Sequence, residues 1–150
     1  RIREAQSQVA EPAGSVAVTI DCGEADDIHP KDKKTVGERL AALALHHTYH
    51  KREVVPCGPV YSHMAVEGQS IRLYFDHCEK GLQGTDGFFI AAAELAFKPA
   101  QVVIEGDTVL VSSPEVPIPA AVRYAWANNP KHATLRNGAG LPASPFRTDC

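Results

Sequence analysis

Between Asp21 and Pro30 the chain sets four carboxylates and an imidazole in one short polar stretch: Asp21, Glu24, Asp26, Asp27 and His29. An imidazole takes the proton of a nucleophilic hydroxyl well when a carboxylate holds its Nδ1–H. That contact fixes the tautomer and stabilises the imidazolium that forms. Asp26 and His29, three apart in a tight turn, can supply both groups from one loop. Asp21, Glu24 and Asp27 are rival carboxylates, and spacing does not choose among them. The same residues also have a structural reading, as an exposed loop histidine and a helix-capping aspartate.

The elements that would position this loop are legible on both sides of it. Residues 2–10 have helical composition and Gly14 breaks the pattern. The β-branched run Ser15-Val16-Ala17-Val18-Thr19-Ile20 then reads as a short buried strand. Functional groups in open α/β sheets sit at the carboxyl ends of strands, which is where Asp21–His29 would fall. After Pro30, placed where a helix start tolerates its missing N–H, Lys31 to about His50 reads as a helix. Its apolar stripe is Val36, Leu40, Leu43 and His47. A lone strand and helix cannot cover their own apolar faces.

The texture changes near Val54–Pro59. Beyond it come candidate strands at Val60–Val66, Ser70–Phe75, Phe88–Ala92, Ala100–Ile104, Thr108–Ser112 and Ala121–Trp126, with Glu105-Gly106-Asp107 as a hairpin turn. Strands at this spacing predict a small antiparallel sandwich. The Pro- and Gly-rich tail from Pro130 is expected to be irregular coil. Two domains follow, 1–54 and 55–150.

Composition narrows the function classes. Fifteen basic against 18 acidic residues give a net charge of −3, which argues against nucleic-acid binding. No apolar stretch approaches the ~20 residues of a membrane span, and the N-terminal residues have no signal-peptide core. The chain opens at Arg1 without a Met, as an excised or processed piece would. Cys22, Cys57, Cys78 and Cys150 are far apart with no C-x-x-C pair, a weak zinc pattern. His46 and His50, four apart, read as a helix-surface pair rather than metal ligands. His63, His77 and His132 stand alone. Tyr124 and Trp126 read as core, with the indole as a sugar-stacking platform the lesser alternative.

The Asp26-x-x-His29-Pro30 loop followed by this helix resembles the final conserved block of the SGNH (GDSL-like) hydrolases. Gly23 to Lys31 is similar, more narrowly, to the sialate O-acetylesterase family and its bacterial carbohydrate-acetylesterase relatives. The likeness runs on through Gly37–Ala41, Gly58–Tyr61, Ile71–Leu73, Val122–Asn128 and Gly140–Phe146. The resemblance implies Asp26 as the orienting carboxylate and His29 as general base, then general acid. It implies the last strand and helix of an SGNH-type α/β/α sandwich followed by a small antiparallel β-sandwich module. The substrate would be O-acetylated sialic acid or polysaccharide, in a secreted or periplasmic setting, with neither metal nor organic cofactor needed.

The family's nucleophile lies in a Gly-Gln-Ser-Asn motif that this chain lacks. Gly68-Gln69-Ser70 mimics it, but Ile71 replaces the Asn, and a hairpin turn is expected there rather than a nucleophile elbow. The serine is therefore expected on an upstream segment or separate chain. Ala91–Leu95 and Lys131–Arg136 also depart from the family pattern. The alternative is a non-catalytic carbohydrate-binding or structural β module whose D-x-x-H loop is vestigial.

Overall fold

The structure is a computed structural model of the chain and describes residues 2–8, 10 and 15–149. The expected helix break at Gly14 and the fourth cysteine, Cys150, fall outside those residues. Two helices precede ten strands: α1 (Ile2–Gln8) and α2 (Lys33–His47), then β1 (Val60–Glu67), β2 (Ser70–Asp76), β3 (Leu82–Gln83), β4 (Phe88–Ala91), β5 (Lys98–Pro99), β6 (Gln101–Glu105), β7 (Thr108–Ser112), β8 (Ala121–Tyr124), β9 (Arg136–Asn137) and β10 (Phe146–Arg147).

α2 starts at Asp32, whose carboxylate accepts the Thr35 backbone N–H at 3.0 Å, satisfying a donor that has no partner within the helix. Its buried positions are Arg39 and Leu43, with Val36, His46 and His47 half-buried beside them. Leu40, expected inside, is 54% exposed. Arg39 takes the inner face instead, because it meets a carboxylate there that compensates its burial.

Ser15–Ile20 is a second correction. The segment is half-buried but has no ladder partner among the described residues, and a β-branched run becomes a strand only when a neighbour takes its backbone groups. It ends in a turn in which the Cys22 N–H meets the Thr19 carbonyl at 3.4 Å.

The second half is the expected β-rich body. One antiparallel sheet has the order β1-β2-β7-β6, another β10-β8-β4-β5, and β3 pairs with β9 in a small ribbon. Alternation drives the pairing: along β2, Ile71, Leu73 and Phe75 are buried while the residues between them are not. They face Val109 and Val111 of β7, and Ile90, Val122 and Tyr124 from the other sheet, in one shared core. Each such side chain contributes about 1.5–3 kcal/mol on burial.

Both hairpins close as two-residue turns. Glu67 pairs with Ser70 across Gly68-Gln69, and Glu105 with Thr108 across Gly106-Asp107. Gly68 and Gly106 sit at φ +60° and +61°, where a side chain would be strained. Ser70 is thus the first residue of a strand and not part of a strand-to-helix turn.

The tail is more ordered than its composition predicts. Phe146 stacks on Tyr61 with centroids 4.6 Å apart, and β10 pairs with β8. Asn137, fully buried, donates to the Cys57 and His77 carbonyls at 3.0 and 3.1 Å and accepts the Leu141 N–H at 3.1 Å. The tail therefore stitches the 54–59 junction onto the β body. Gly58 is part of the same seam: a Cβ there would lie 2.1 Å from the Pro142 carbonyl oxygen.

Candidate active-site loop

The loop from Asp21 to Asp32 is anchored at both ends by its own acidic side chains. At its start Asp21 meets the Arg39 guanidinium in a two-pronged ion pair, with Nη1–Oδ1 at 2.6 Å and Nη2–Oδ2 at 2.7 Å. Arg39 Nη1 also donates to the Val18 carbonyl at 2.5 Å. Side-chain exposure is 10% for Arg39 and 32% for Asp21, so the pair is partly desolvated and its geometry fixed. Burial pushes the Asp21 carboxyl up, but the Arg39 hydrogen bond and charge outweigh it and hold the group below its ordinary value. The hydrogen bond from Arg39 to Asp21 raises the arginine in turn. Both partners stay charged.

Further along, Glu24 Oε1 accepts the Lys31 backbone N–H at 2.8 Å, closing the loop on itself. Asp27 Oδ1 accepts the His29 backbone N–H at 2.8 Å, an Asx-type turn. Asp32 caps α2, and its hydrogen bond with Thr35 lowers its carboxyl. Four of the five acidic side chains between 21 and 32 thus have structural work. Among the described residues, only the Asp26 carboxylate carries none.

His29 projects from this frame, its side chain 82% exposed. Asp27 Oδ1 lies 3.8 Å from its Nδ1, too long for a hydrogen bond. No hydrogen bond joins Asp26 to His29, although the two occupy the same exposed tip. Ile28 between them is 89% exposed. The loop is a built frame with an exposed imidazole, within ion-pair distance of Asp27, and the Asp26 carboxylate at its apex.

The remaining candidates find other work. His46 Nδ1 lies 2.7 Å from the Val54 carbonyl and its Nε2 is 3.2 Å from Arg52, which fixes the Nδ1–H tautomer and occupies both ring nitrogens. His50 lies beyond α2, at φ 55°, so the two do not share a helix face. His63 stacks on Tyr74 at 4.3 Å, and His77 lies beside Glu79. Cys22, Cys57 and Cys78 are free thiols, with burial pushing Cys57 up to about 12, which leaves it inert. Sequence reading missed Arg39 as the clamp of this loop. Its signal was a single cation on the inner face of α2, within the Gly37–Ala41 stretch.

What these parts define is a β-rich body preceded by two helices, with an imidazole–carboxylate loop ahead of the longer helix. Neither a family model nor a curated relative matches the chain. Among solved structures it is similar to XAC1771, a carbohydrate acetylesterase from Xanthomonas citri, at 43% identity and a TM-score of 0.82 over 86% of this chain. The chain spans 31% of the length of that protein.

Proposed function

We propose that this chain is the C-terminal part of a serine-dependent carbohydrate O-acetylesterase of the SGNH type, sialate O-acetylesterase-like. In this reading residues 1–54 belong to the hydrolase domain and 55–150 form its β-sandwich module. The observation that carries the proposal is the 43% identity to a carbohydrate acetylesterase over most of this chain. The loop supports it, because the D-x-x-H pair is the part of the acidic cluster left without structural duty. The exposed apolar side chains of Ile28 and Leu40, beside the loop and along α2, support a hydrolase segment covering them. The substrate is an O-acetylated sialic acid or polysaccharide, encountered outside the cytoplasm.

His29 Nε2 takes the proton of a serine hydroxyl carried by that segment, and the oxygen attacks the acetyl carbonyl. Asp26 turns onto His29 Nδ1 and holds the imidazolium. The tetrahedral intermediate collapses, His29 returns the proton to the sugar oxygen, and water frees the acetyl group by the same route.

In the complete protein, His29→Ala and Asp26→Ala each abolish most acetyl release from an O-acetylated sugar, whereas Asp27→Ala retains it. Comparable losses at Asp26 and Asp27 would undo the choice of Asp26. Full activity of His29→Ala would favour the non-catalytic module.

A further inference from the structure

The chain leaves the end of β8 through a residue in the left-handed region. Ala125 sits at φ 52°, a left-handed conformation that costs a residue with a Cβ about 1–2 kcal/mol. It is buried, its N–H is held by the Gly87 carbonyl at 3.0 Å, and its own carbonyl accepts the Ala127 N–H at 3.0 Å in a tight turn centred on Trp126. The turn carries the indole out of the sheet. Tyr124, two residues earlier, is fully buried, while Trp126 is only half-buried. The turn thus leaves Trp126 partly exposed beside a buried Tyr124.

Trp126 presents to a cleft of about 650 Å³ between α1 and the turn after β8, within the size range of small-ligand sites. α1 is fixed as the far wall. Arg3 donates from Nη1 to the Ala127 carbonyl at 3.0 Å and from Nη2 to the Asn128 carbonyl at 2.9 Å, and Glu4 accepts from Arg147 Nε at 2.6 Å. The Arg147 guanidinium in turn lies over the indole, 5.4 Å from its centroid, bracing the ring by a cation–π contact. Ile2 and Pro145 supply apolar wall, and Gln6 and Asn128, two residues with side-chain amides, line the same cleft. Both residues are exposed. A braced indole flanked by neutral amides is matched to a pyranose ring, whose C–H face stacks on aromatics while its hydroxyls bond amides.

We propose that this cleft is a saccharide-binding subsite, separate from the Asp26–His29 loop, that takes a neutral pyranose unit on Trp126 with Gln6 and Asn128 bonding its hydroxyls. The choice of saccharide over another flat ligand rests on the carbohydrate-esterase reading; the strained turn and the braced indole do not.

Trp126 is the chain's single tryptophan, so its emission reports this site alone. Titrating the 150-residue chain with xylotetraose is expected to shift the emission saturably. Asn128→Ala and Gln6→Ala keep the reporter and are expected to weaken binding about 5- to 30-fold each, the loss of a hydrogen bond or two. Trp126→Ala, followed by calorimetry and checked for folding by circular dichroism, loses binding. The same calorimetry on the complete protein tests whether the subsite is open there. No saturable shift, equal affinity in folded Trp126→Ala, or a cleft closed in the complete protein would each overturn the proposal. Binding of free N-acetylneuraminic acid in preference to xylotetraose would overturn its neutral-sugar form and shift recognition to Arg3. Binding is read without turnover, so its failure and a failure of the esterase reading are distinguishable.

Discussion

Tyr124 shows how much a single polar atom decides in this core. Its ring is fully buried between the sheets, 4.7 Å from Phe88 and 5.8 Å from Phe146. Its hydroxyl accepts the Leu135 N–H at 3.0 Å and faces the Leu135 carbonyl at 3.4 Å. Burial pushes the phenol well above its ordinary range, so it stays a neutral donor and acceptor. Tyr124→Phe leaves the Leu135 N–H buried without a partner, and is expected to cost about 1–3 kcal/mol. Urea denaturation followed by circular dichroism measures it; a loss below ~0.5 kcal/mol would mean that the Leu135 N–H finds another acceptor. In the sequence Tyr124 and Trp126 read alike, two aromatics in alternation. The left-handed Ala125 between them separates a fully buried residue from a half-buried one, and no propensity scale signals that.

At the scale of elements, α2 and the loop before it act as one unit through Arg39. Removing the guanidinium leaves a partly desolvated carboxylate with no cation, and Arg39→Ala is expected to cost about 1–3 kcal/mol. That lies between an exposed pair and a fully buried one. The pH dependence follows from the direction of the Asp21 shift. The folded carboxyl lies below its ordinary 3.8, so the pair's contribution is full above that value and fades as pH falls through the folded pKa. Stability of wild type and Arg39→Ala, compared by denaturation at pH 7 and at successively lower pH below 3.8, should draw together as the carboxylate is protonated. A gap that stays constant would assign the whole effect to lost packing of the arginine stem. The helix itself was legible, because Asp32, Pro30 and the apolar spacing mark its start and its inner face. Leu40 was misassigned to that face because periodicity weighs apolar character. It does not weigh the burial of an arginine that has found its carboxylate.

At the scale of the whole molecule, the chain covers 31% of the acetylesterase it resembles, and the function proposed above puts the nucleophile on a segment outside it. Ser70 opens β2 behind a two-residue turn, with no helix N-terminus to hold an oxyanion. The purified 150-residue chain is therefore expected to show no turnover of p-nitrophenyl acetate above the buffer rate, while the complete protein turns it over. Robust hydrolysis by the chain alone would place a nucleophile within it and refute the division of the active site proposed here.

The sequence by itself determined the β-rich second half, both two-residue hairpins and the long helix, because alternation, glycine at positive φ and capping chemistry are local signals. It also singled out the Asp21–His29 loop as a candidate for acid–base chemistry, without choosing among its carboxylates. The tertiary structure shows which of them have other partners. Arg39 occupies Asp21, backbone N–H groups occupy Glu24, Asp27 and Asp32, and Asp26 remains. Only the tertiary structure denied Ser15–Ile20 a strand and gave the tail its short strands and the buried Asn137. Ladder partners and close backbone approaches come from residues distant in the chain, and no local pattern encodes them.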